Sequence, residues 1–166
     1  MKEINVKDLT INAMTAIAND WMLITAGCEE RGYNTMTASW GHLGSLWGAY
    51  TSVAYVRPQR YTKEFVDRED LYTLCFFPGY KKELAYLGSH SGRDEDKVAK
   101  MGLTPVFGEG YTYFQEASLV LVCRKLYRAP LVEEGFIDKA VMNQCYPEKD
   151  FHDLYVGEIV KVLAAE

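Results

Sequence analysis

Residues that suit a phosphate group lie close together in one segment, Arg57-Pro58-Gln59-Arg60-Tyr61-Thr62. Pro58 is predicted to open a helix, which would place Arg57 at the start of that helix and Arg60 three residues further along the same side. Guanidinium groups beside the unpaired N–H groups of a helix N-terminus are typical of a phosphate site. Taken alone, the segment also fits two surface arginines that pair with acidic side chains of the same helix.

A second group of polar side chains belongs to the predicted strand Tyr33–Ala38 and to the residues that follow it. Side chains alternate between the two faces of a strand, so Thr35, Thr37 and Ser39 should share one face. Such a row of hydroxyl groups is either solvated or in contact with a polar ligand. The ring of Trp40 could cover a planar ligand, although tryptophan is more often part of a core.

A third polar segment, Ser91-Gly92-Arg93-Asp94-Glu95-Asp96-Lys97, leads into a short predicted helix. Two interpretations are open for it. It is either a solvated turn in which Asp94 caps the helix, or a clamp in which Ser91, Arg93 and Lys97 hold an anion.

The stretch from Arg31 to Lys63 has no acidic residue, although the whole protein carries a formal net charge of -5. At the average acidic content, a stretch of this length would hold roughly four or five carboxylates. It contains two tryptophans and a set of hydroxyl side chains, which are Thr35, Thr37, Ser39, Ser45, Thr51, Ser52 and Thr62. Hydroxyl groups, guanidinium groups and aromatic faces together suit a phosphorylated, planar, aromatic ligand.

No residue is predicted to be catalytic, and no metal site is predicted. The three histidines, His42, His90 and His152, do not have the spacing of metal ligands. The sequence has no nucleophile elbow and no catalytic-cysteine signature. It also has no dinucleotide-binding G-x-G-x-x-G motif after a strand.

The composition predicts a single folded domain over residues 1–166, because hydrophobic residues make up 48% of the chain. The net negative charge argues against a nucleic-acid surface, and no apolar run reaches the roughly 20 residues of a membrane helix. The four cysteines are far apart and the N-terminus has no signal-peptide core, which together predict a cytoplasmic protein.

The elements that must position these groups are mostly strands. Runs of β-branched and aromatic residues predict strands at Trp21–Ala26, Tyr33–Ala38, Ser52–Arg57, Leu71–Phe77, Ser118–Leu126 and Leu154–Leu163. The glycines at 41, 44 and 48 predict a loop, and helices are predicted at Arg60–Glu69, Lys81–Leu87, Glu95–Met101 and Glu133–Asn143. Because strands come in groups, an antiparallel barrel with a few short helices packed on it is favoured over a doubly wound sheet.

Several segments occur together in one characteristic order. They are Met36–Gly41, Leu46-Trp47, Val56–Thr62, Ser91–Asp94 with Asp96-Lys97, Phe114–Ala117, Cys123–Tyr127 and His152–Ile159. In type and order they resemble the flavin reductase-like family, which has the FMN-binding split-barrel fold. The resemblance covers nearly the whole chain, from about Trp21 to Leu163.

The resemblance implies a mainly β, antiparallel Greek-key split barrel that works as a homodimer and binds FMN near the subunit interface. It implies three groups of cofactor-binding residues: Thr37, Ala38, Ser39 and Trp40 along the flavin; Arg57, Arg60 and Thr62, with Pro58 between them, at the phosphate; and Ser91, Gly92, Arg93 and Lys97 closing over the cofactor. Phe76, Phe77 and Tyr111 lie beside matched segments and are expected to border the isoalloxazine ring.

The activity implied by the resemblance is an NAD(P)H-dependent flavin oxidoreductase. The flavin would perform the hydride chemistry while the protein supplies binding, orientation and electrostatics, so no acid–base pair is required. Two alternatives stay open. One is a flavoredoxin-like electron carrier that is reduced by a redox protein, and the other is a non-catalytic split-barrel protein that binds FMN, haem or another planar ligand.

Overall fold

The computed structural model describes residues 1–165, and Glu166 lies outside the described residues. Within them the strands are β1 (Lys2–Ile4), β2 (Met22–Cys28), β3 (Gly32–Ala38), β4 (Gly41–Leu46), β5 (Ala49–Val56), β6 (Leu71–Phe76), β7 (Pro105–Gly108), β8 (Tyr111–Phe114), β9 (Leu119–Pro130) and β10 (Asp153–Ala164). The α-helices are short: α1 (Ala13–Thr15), α2 (Thr62–Arg68), α3 (Lys81–Ser89), α4 (Lys97–Lys100) and α5 (Lys139–Cys145). A π-helical turn continues α1, and two 3-10 turns lie at Val6–Asp8 and Glu133–Gly135.

Most strands belong to one antiparallel sheet with the order β3-β2-β6-β9-β10-β5-β4. Strand β1 pairs with the C-terminal end of β10, and β7 and β8 form a separate hairpin. The sheet curls on itself, because Ser52 of β5 and Tyr72 of β6 are not on adjacent strands and yet share a hydrogen bond of 2.7 Å. The predicted antiparallel barrel with short helices is therefore confirmed.

The inner face of the curled sheet encloses the larger hydrophobic core. Met36 near one end of the strand order and Ala54 near the other end belong to the same buried cluster. Tyr72 is fully buried among them and reaches the opposite side of the barrel. A Cβ atom on Gly157 would lie 2.4 Å from the Tyr72 hydroxyl oxygen, so glycine is required where this tyrosine meets β10.

The outer face of the sheet is covered by α3, α4 and the β7–β8 hairpin. Leu84 and Leu87 of α3 belong there to one buried cluster with Val120 and Val122 of β9. The intervening side chain of Leu121 points into the inner core. The first half of β9, from Leu119 to Cys123, is thus buried between the two clusters, which explains why this stretch of sequence is continuously apolar.

The segment from Gly41 to Leu46 is strand β4, so the predicted loop is wrong for Gly41 and Gly44, whereas Gly48 lies in the turn between β4 and β5. It pairs along its whole length with β5, from Gly41 opposite Ala54 to Leu46 opposite Ala49. As an edge strand with mostly exposed side chains, β4 lacks the apolar alternation by which strands are recognised in a sequence.

Pro58 lies in a turn before α2, so the prediction that it opens a helix is wrong. The Arg60 N–H donates to the Arg57 carbonyl oxygen at 3.1 Å, which puts Pro58 at the second position of a four-residue turn. Proline is common at that position because its fixed φ matches the turn. The helix begins only at Thr62.

The helix predicted at Glu133–Asn143 is divided in the structure. A 3-10 turn ends at Gly135, and α5 begins at Lys139 after Asp138, whose carboxylate accepts a hydrogen bond from the Ala140 N–H at 2.9 Å.

Across residues 1–165, none of the helices has both the length and the apolar character that crossing a bilayer would demand.

Candidate functional site

Two adjoining cavities lie where β3 and β5 end and the chain enters β10. The first has a volume of about 350 Å³, and the second, of about 170 Å³, shares Met36, Gln59 and Arg60 with it. Ten of the twelve predicted site residues line one or both of these cavities, and they are Thr37, Ala38, Ser39, Trp40, Arg57, Arg60, Thr62, Ser91, Gly92 and Lys97. The exceptions are Pro58 and Arg93.

Arg60 and Lys97 bring two positive charges to the second cavity, and neither has a carboxylate partner within residues 1–165. The Arg60 guanidinium donates to the carbonyl oxygens of Gly88 at 2.7 Å and Thr37 at 3.5 Å. Lys97 is only 3% exposed, and its Nζ donates to two main-chain carbonyl oxygens at the end of α3, at 2.7 and 2.9 Å. Both cations are thus held in place by neutral acceptors.

Burial acts against the charged form of both side chains. Burial and the neighbouring Arg60 guanidinium lower the pKa of Lys97 to about 8. Burial, with a smaller contribution from Arg57, also lowers the pKa of Arg60. An anion in the second cavity would offset this cost through charge-assisted hydrogen bonds, so the donor set fits a phosphate group.

Hydroxyl groups complete the lining of the second cavity. The Thr62 hydroxyl accepts a hydrogen bond from Asn34 Nδ2 at 2.8 Å, which leaves its own proton to be donated. The Ser91 hydroxyl accepts from the Arg93 N–H at 3.2 Å and likewise keeps its proton. Both can donate to the oxygen atoms of an anion.

Gly92 allows the loop after α3 to lie directly on β3. A Cβ atom at this position would come within 2.2 Å of the Asn34 amide oxygen. The loop can therefore form one wall of the second cavity only with glycine here.

Asp96 caps helix α4, because its carboxylate accepts a hydrogen bond from the Ala99 N–H at 3.0 Å. The alternative in which Asp94 is the cap is therefore wrong.

Arg57 lines the first cavity, but its charge is shared with Asp150. The two side chains form an ion pair, and the guanidinium also donates to the Cys145 carbonyl oxygen at 2.9 Å. It lies over the Tyr146 ring at 5.0 Å, and Asp150 accepts a further hydrogen bond from Gln59 at 2.7 Å. The alternative in which Arg57 pairs with Glu64 or Asp67 of α2 is therefore wrong, since its partner Asp150 lies 93 residues away.

Arg93 turns away from both cavities. It forms an ion pair with Glu64 of α2, and its guanidinium lies over the Tyr61 ring at 4.5 Å. It lines a separate polar cavity of about 390 Å³ beside α4. In this position Arg93 fastens the loop after α3 to α2 rather than facing a ligand.

The threonines of β3 are engaged within the protein. The Thr35 and Thr25 hydroxyl groups are buried and 2.7 Å apart, and the Thr37 hydroxyl donates to the Leu84 carbonyl oxygen at 2.5 Å. The interpretation of the hydroxyl row as solvated or ligand-binding is wrong for Thr35. Ser39, beyond the end of the strand, lines the first cavity.

His152 lines the first cavity, although the sequence analysis assigned it no role. Its Nδ1 lies 2.7 Å from the Tyr146 hydroxyl, and its ring centroid is 5.1 Å from that of Trp40. Burial and the Arg57 charge lower the pKa of His152 to about 4, so the imidazole is neutral at pH 7. The only sequence signal for it is its place in the segment His152–Ile159.

Tyr55, Gln59 and Met36 also line the first cavity, although none of them was predicted as a site residue. By contrast, Phe76 is buried in the inner hydrophobic cluster and Phe77 in the outer one, and neither lines a cavity of the site. The expectation that they border a bound ring is therefore wrong.

In the part of the chain that the structure describes, no three His, Cys, Asp or Glu side chains are grouped in a way that could hold a metal ion.

The two cavities together can receive a ligand with an anionic end and a planar end. The second cavity offers cations and hydroxyl protons, whereas the first offers the Trp40 ring, the Met36 side chain and a neutral His152. Since Gln59 and Arg60 belong to both, the two ends of one molecule can occupy them at the same time.

Comparisons with known proteins agree with this arrangement. The family model described as "Flavin reductase like domain" matches residues 14–166. A search of curated proteins finds no significant match.

Several solved structures share the fold. The flavoredoxin of Desulfovibrio vulgaris (Miyazaki F) is 22% identical with a TM-score of 0.69, and the match covers 100% of this chain and 78% of that one. The FMN-binding protein of Thermus thermophilus with bound p-hydroxybenzaldehyde is 21% identical with a TM-score of 0.68, covering 100% and 83%. The NADH:FAD oxidoreductase of Streptomyces globisporus in complex with NAD and FAD fragments is 16% identical with a TM-score of 0.64, covering 88% and 74%. At these identities the likeness establishes the split-barrel fold.

Proposed function

Because the chain belongs to the flavin reductase-like family, we propose that it binds FMN and passes hydride from NADH or NADPH to the flavin. Two proteins with the same fold support the two halves of the proposal. One is an FMN-binding protein and another an NADH:FAD oxidoreductase.

The observation that carries the proposal is the pair of cations at the second cavity. Arg60 and Lys97 are positioned by main-chain carbonyl groups and lack a carboxylate partner in the described chain. A buried positive charge without a counter-ion is unfavourable, so a binding partner with negative charge is expected. The phosphate of FMN carries close to two negative charges at neutral pH and would supply it.

The cofactor would lie across both cavities, with its phosphate in the second and its ring in the first. Thr62 and Ser91 would donate hydrogen bonds to the phosphate beside Arg60 and Lys97. Gly92 would let the loop after α3 close over it.

Other predicted residues would position the cofactor indirectly or line its ring. The turn at Pro58 sets the direction of Arg57 and Arg60, and Arg93 fastens the loop after α3 through Glu64. Along the ring would lie Thr37, Ala38, Ser39 and Trp40.

When bound, the flavin supplies a reversible acceptor for hydride. This chain's own residues bind it, orient it and set the local charge. Arg60 places positive charge beside the first cavity, which would favour a bound flavin that gains negative charge on reduction. His152 stays neutral and acts as a hydrogen-bonding group rather than as an acid. No side chain is proposed to transfer a proton.

The test is anaerobic mixing of the FMN-loaded protein with NADH and, separately, with NADPH. The proposal predicts that at least one nucleotide bleaches the oxidised-flavin absorbance in a first-order step whose rate saturates with nucleotide concentration. Bleaching by dithionite alone would contradict the reductase and favour the carrier described next. A protein that takes up no FMN in titration would contradict both.

A flavoredoxin-like electron carrier is the second candidate. It is supported by the likeness to the Desulfovibrio flavoredoxin and by the exposure of Trp40, which is 43% exposed at the rim of the first cavity. An exposed aromatic ring beside a flavin gives a protein partner a surface to dock on. Reduction of bound FMN by a redox protein, with no reaction with either nicotinamide, would establish this role.

We also propose that the chain is a single domain, that it is cytoplasmic, and that it forms a homodimer. Exposed apolar side chains on the β4–β5 hairpin and β9 support the dimer, and they are Leu46, Trp47, Tyr50, Leu126 and Tyr127. The Trp47 and Tyr127 rings lie 6.1 Å apart, so the hairpin and β9 expose apolar side chains next to each other. Sedimentation equilibrium should give twice the chain mass, and Trp47→Glu should shift it to the monomer.

A further inference from the structure

A third cavity, of about 710 Å³, lies directly beside the first, and most of its lining residues lie outside the proposed FMN site. The two share Ser39, Trp40 and Tyr55. Its other walls come from α1 with the π-helical turn and from the segment that contains α5. Its volume is in the range typical of small-molecule sites.

The walls of this third cavity carry no formal charge. No Asp, Glu, Lys or Arg lines it, and most of its surface is apolar, with Ile17, Leu131 and Val141 among the lining side chains. Arg57, which lines the neighbouring first cavity, is paired with Asp150. A charged molecule would lose hydration here without gaining a partner. The pyrophosphate of a nicotinamide dinucleotide therefore finds nothing to bind in this cavity.

Aromatic rings form one side of the third cavity. Trp40 and Tyr146 have ring centroids 6.4 Å apart, and Tyr146 and Phe136 are 5.7 Å apart, all in edge-to-face arrangements. Such a wall suits another planar ring, because aromatic pairs gain energy beyond the burial of their area.

Two hydroxyl groups stand on the wall that the third cavity shares with the first. Tyr55 contributes a phenol whose oxygen lies 3.3 Å from His42 Nδ1, and Ser39 contributes the second hydroxyl. A few polar groups in an otherwise apolar pocket usually fix the orientation of a ligand. Here they would orient a ligand oxygen toward the flavin.

We propose that this third cavity binds an uncharged planar aromatic ketone or aldehyde, with its carbonyl oxygen directed to Ser39 and Tyr55. The inference rests on the proposed function, because it places this second ligand beside the bound flavin. The shared wall would put the carbonyl group next to the site of redox chemistry and the ring against Tyr146 and Phe136.

The test is isothermal titration of the FMN-loaded protein with 2-acetonaphthone and with 2-naphthoate, which share a ring system but differ in charge. The ketone should bind at least tenfold more tightly than the carboxylate. Equal affinity, or tighter binding of the carboxylate, would overturn the proposal.

Two variants locate the binding site. Val141 lines the third cavity and is 48% exposed, while Val160 on β10 is 47% exposed and is not among its lining residues. Val141→Glu should weaken 2-acetonaphthone at least tenfold, whereas Val160→Glu should change it by less than twofold. Val141→Trp, which fills the cavity without adding charge, should weaken binding as well, and thermal unfolding verifies that each variant is folded.

Unchanged ketone binding in both Val141 variants would overturn the assignment. A change from dimer to monomer in Val141→Glu alone would also overturn it, since a second copy of the chain would then cover the cavity. Failure of the proposed function gives a different result, namely loss of FMN binding. The 2-acetonaphthone titration can still be carried out on flavin-free protein. There too, both Val141 variants should bind the ketone more weakly than Val160→Glu does.

Discussion

Four cationic side chains surround the proposed FMN site, and they fall into two pairs with opposite surroundings. Arg57 and Arg93 each form an ion pair with a carboxylate, whereas Arg60 and Lys97 contact neutral main-chain carbonyl groups in the described chain. A paired cation already has its counter-ion. An unpaired cation that is wholly or partly buried has lost hydration free energy without gaining a counter-ion. We therefore propose that the lack of a counter-ion, rather than proximity to the cavity, distinguishes the cations that would bind the phosphate.

The largest effect is expected from Lys97→Met. Removing a charge-assisted hydrogen bond to the phosphate should weaken FMN about 100-fold, since hydrogen bonds to charged groups contribute roughly 1.5–3 kcal/mol. Riboflavin, which has no phosphate, should bind nearly as before. Lys100→Met is the matched control, because Lys100 lies on the same helix, is exposed and pairs with Glu95, and its loss should change FMN binding less than twofold. A similar loss in both variants, measured by flavin fluorescence titration, would show that helix α4 has only a structural role.

The comparison is tested most sharply with Arg60→Gln against Arg57→Gln. We expect Arg60→Gln to weaken FMN about 30-fold, because its guanidinium faces the second cavity without a counter-ion. Arg57→Gln should cost less than fivefold, because its charge is offset by Asp150. The ratio of FMN to riboflavin dissociation constants reports the phosphate contribution in each variant. A larger loss of that ratio for Arg57 than for Arg60 would reverse the assignment.

The affinity for FMN should depend on pH through Lys97. The pKa of Lys97 is lowered to about 8, so the side chain is charged at pH 7 and mostly neutral at pH 9. FMN should bind up to about tenfold more weakly at pH 9 than at pH 7, because only the charged amine pairs with the phosphate. The decrease should be absent for riboflavin and much reduced in Lys97→Arg, since arginine stays charged over this range. A pH-independent affinity in the wild type would contradict a direct contact.

The smallest effect is expected from Arg93→Ala. Its ion pair with Glu64 is exposed at both ends, and such pairs contribute roughly 0–1 kcal/mol. FMN affinity should change by less than twofold, with a small decrease in thermal stability measured by circular dichroism. A loss of tenfold or more would mean that Arg93 turns toward the cofactor in the bound state.

The strands of the barrel were largely predictable because burial leaves a pattern in the sequence. The continuous apolar run of β9 reflects contact with a core on each face, and the alternation in β10 reflects a half-buried strand. Strand β4 was missed because an exposed edge strand with two glycines has no such pattern. The start of α2 was misplaced because Pro58 suits the second position of a turn as well as the first position of a helix.

The site was predictable as a set of segments but not as a set of contacts. Hydroxyl and guanidinium residues near one another marked the region, and the order of the segments indicated the family. That Arg57 pairs with Asp150 depends on how β5 and the loop before β10 meet in the fold, which no local pattern encodes. The same holds for His152, whose position against Trp40 appears only when β3 and β10 are brought together.

The central claim is that the second cavity holds the phosphate of FMN between Arg60 and Lys97. Its most direct test is the titration of the flavin-free wild-type protein with FMN and with riboflavin at pH 7, by isothermal titration calorimetry. We predict that FMN binds at least 100-fold more tightly than riboflavin, because the buried Lys97, the part-buried Arg60 and two hydroxyl groups would contact the phosphate. Equal affinity for the two flavins would contradict the account.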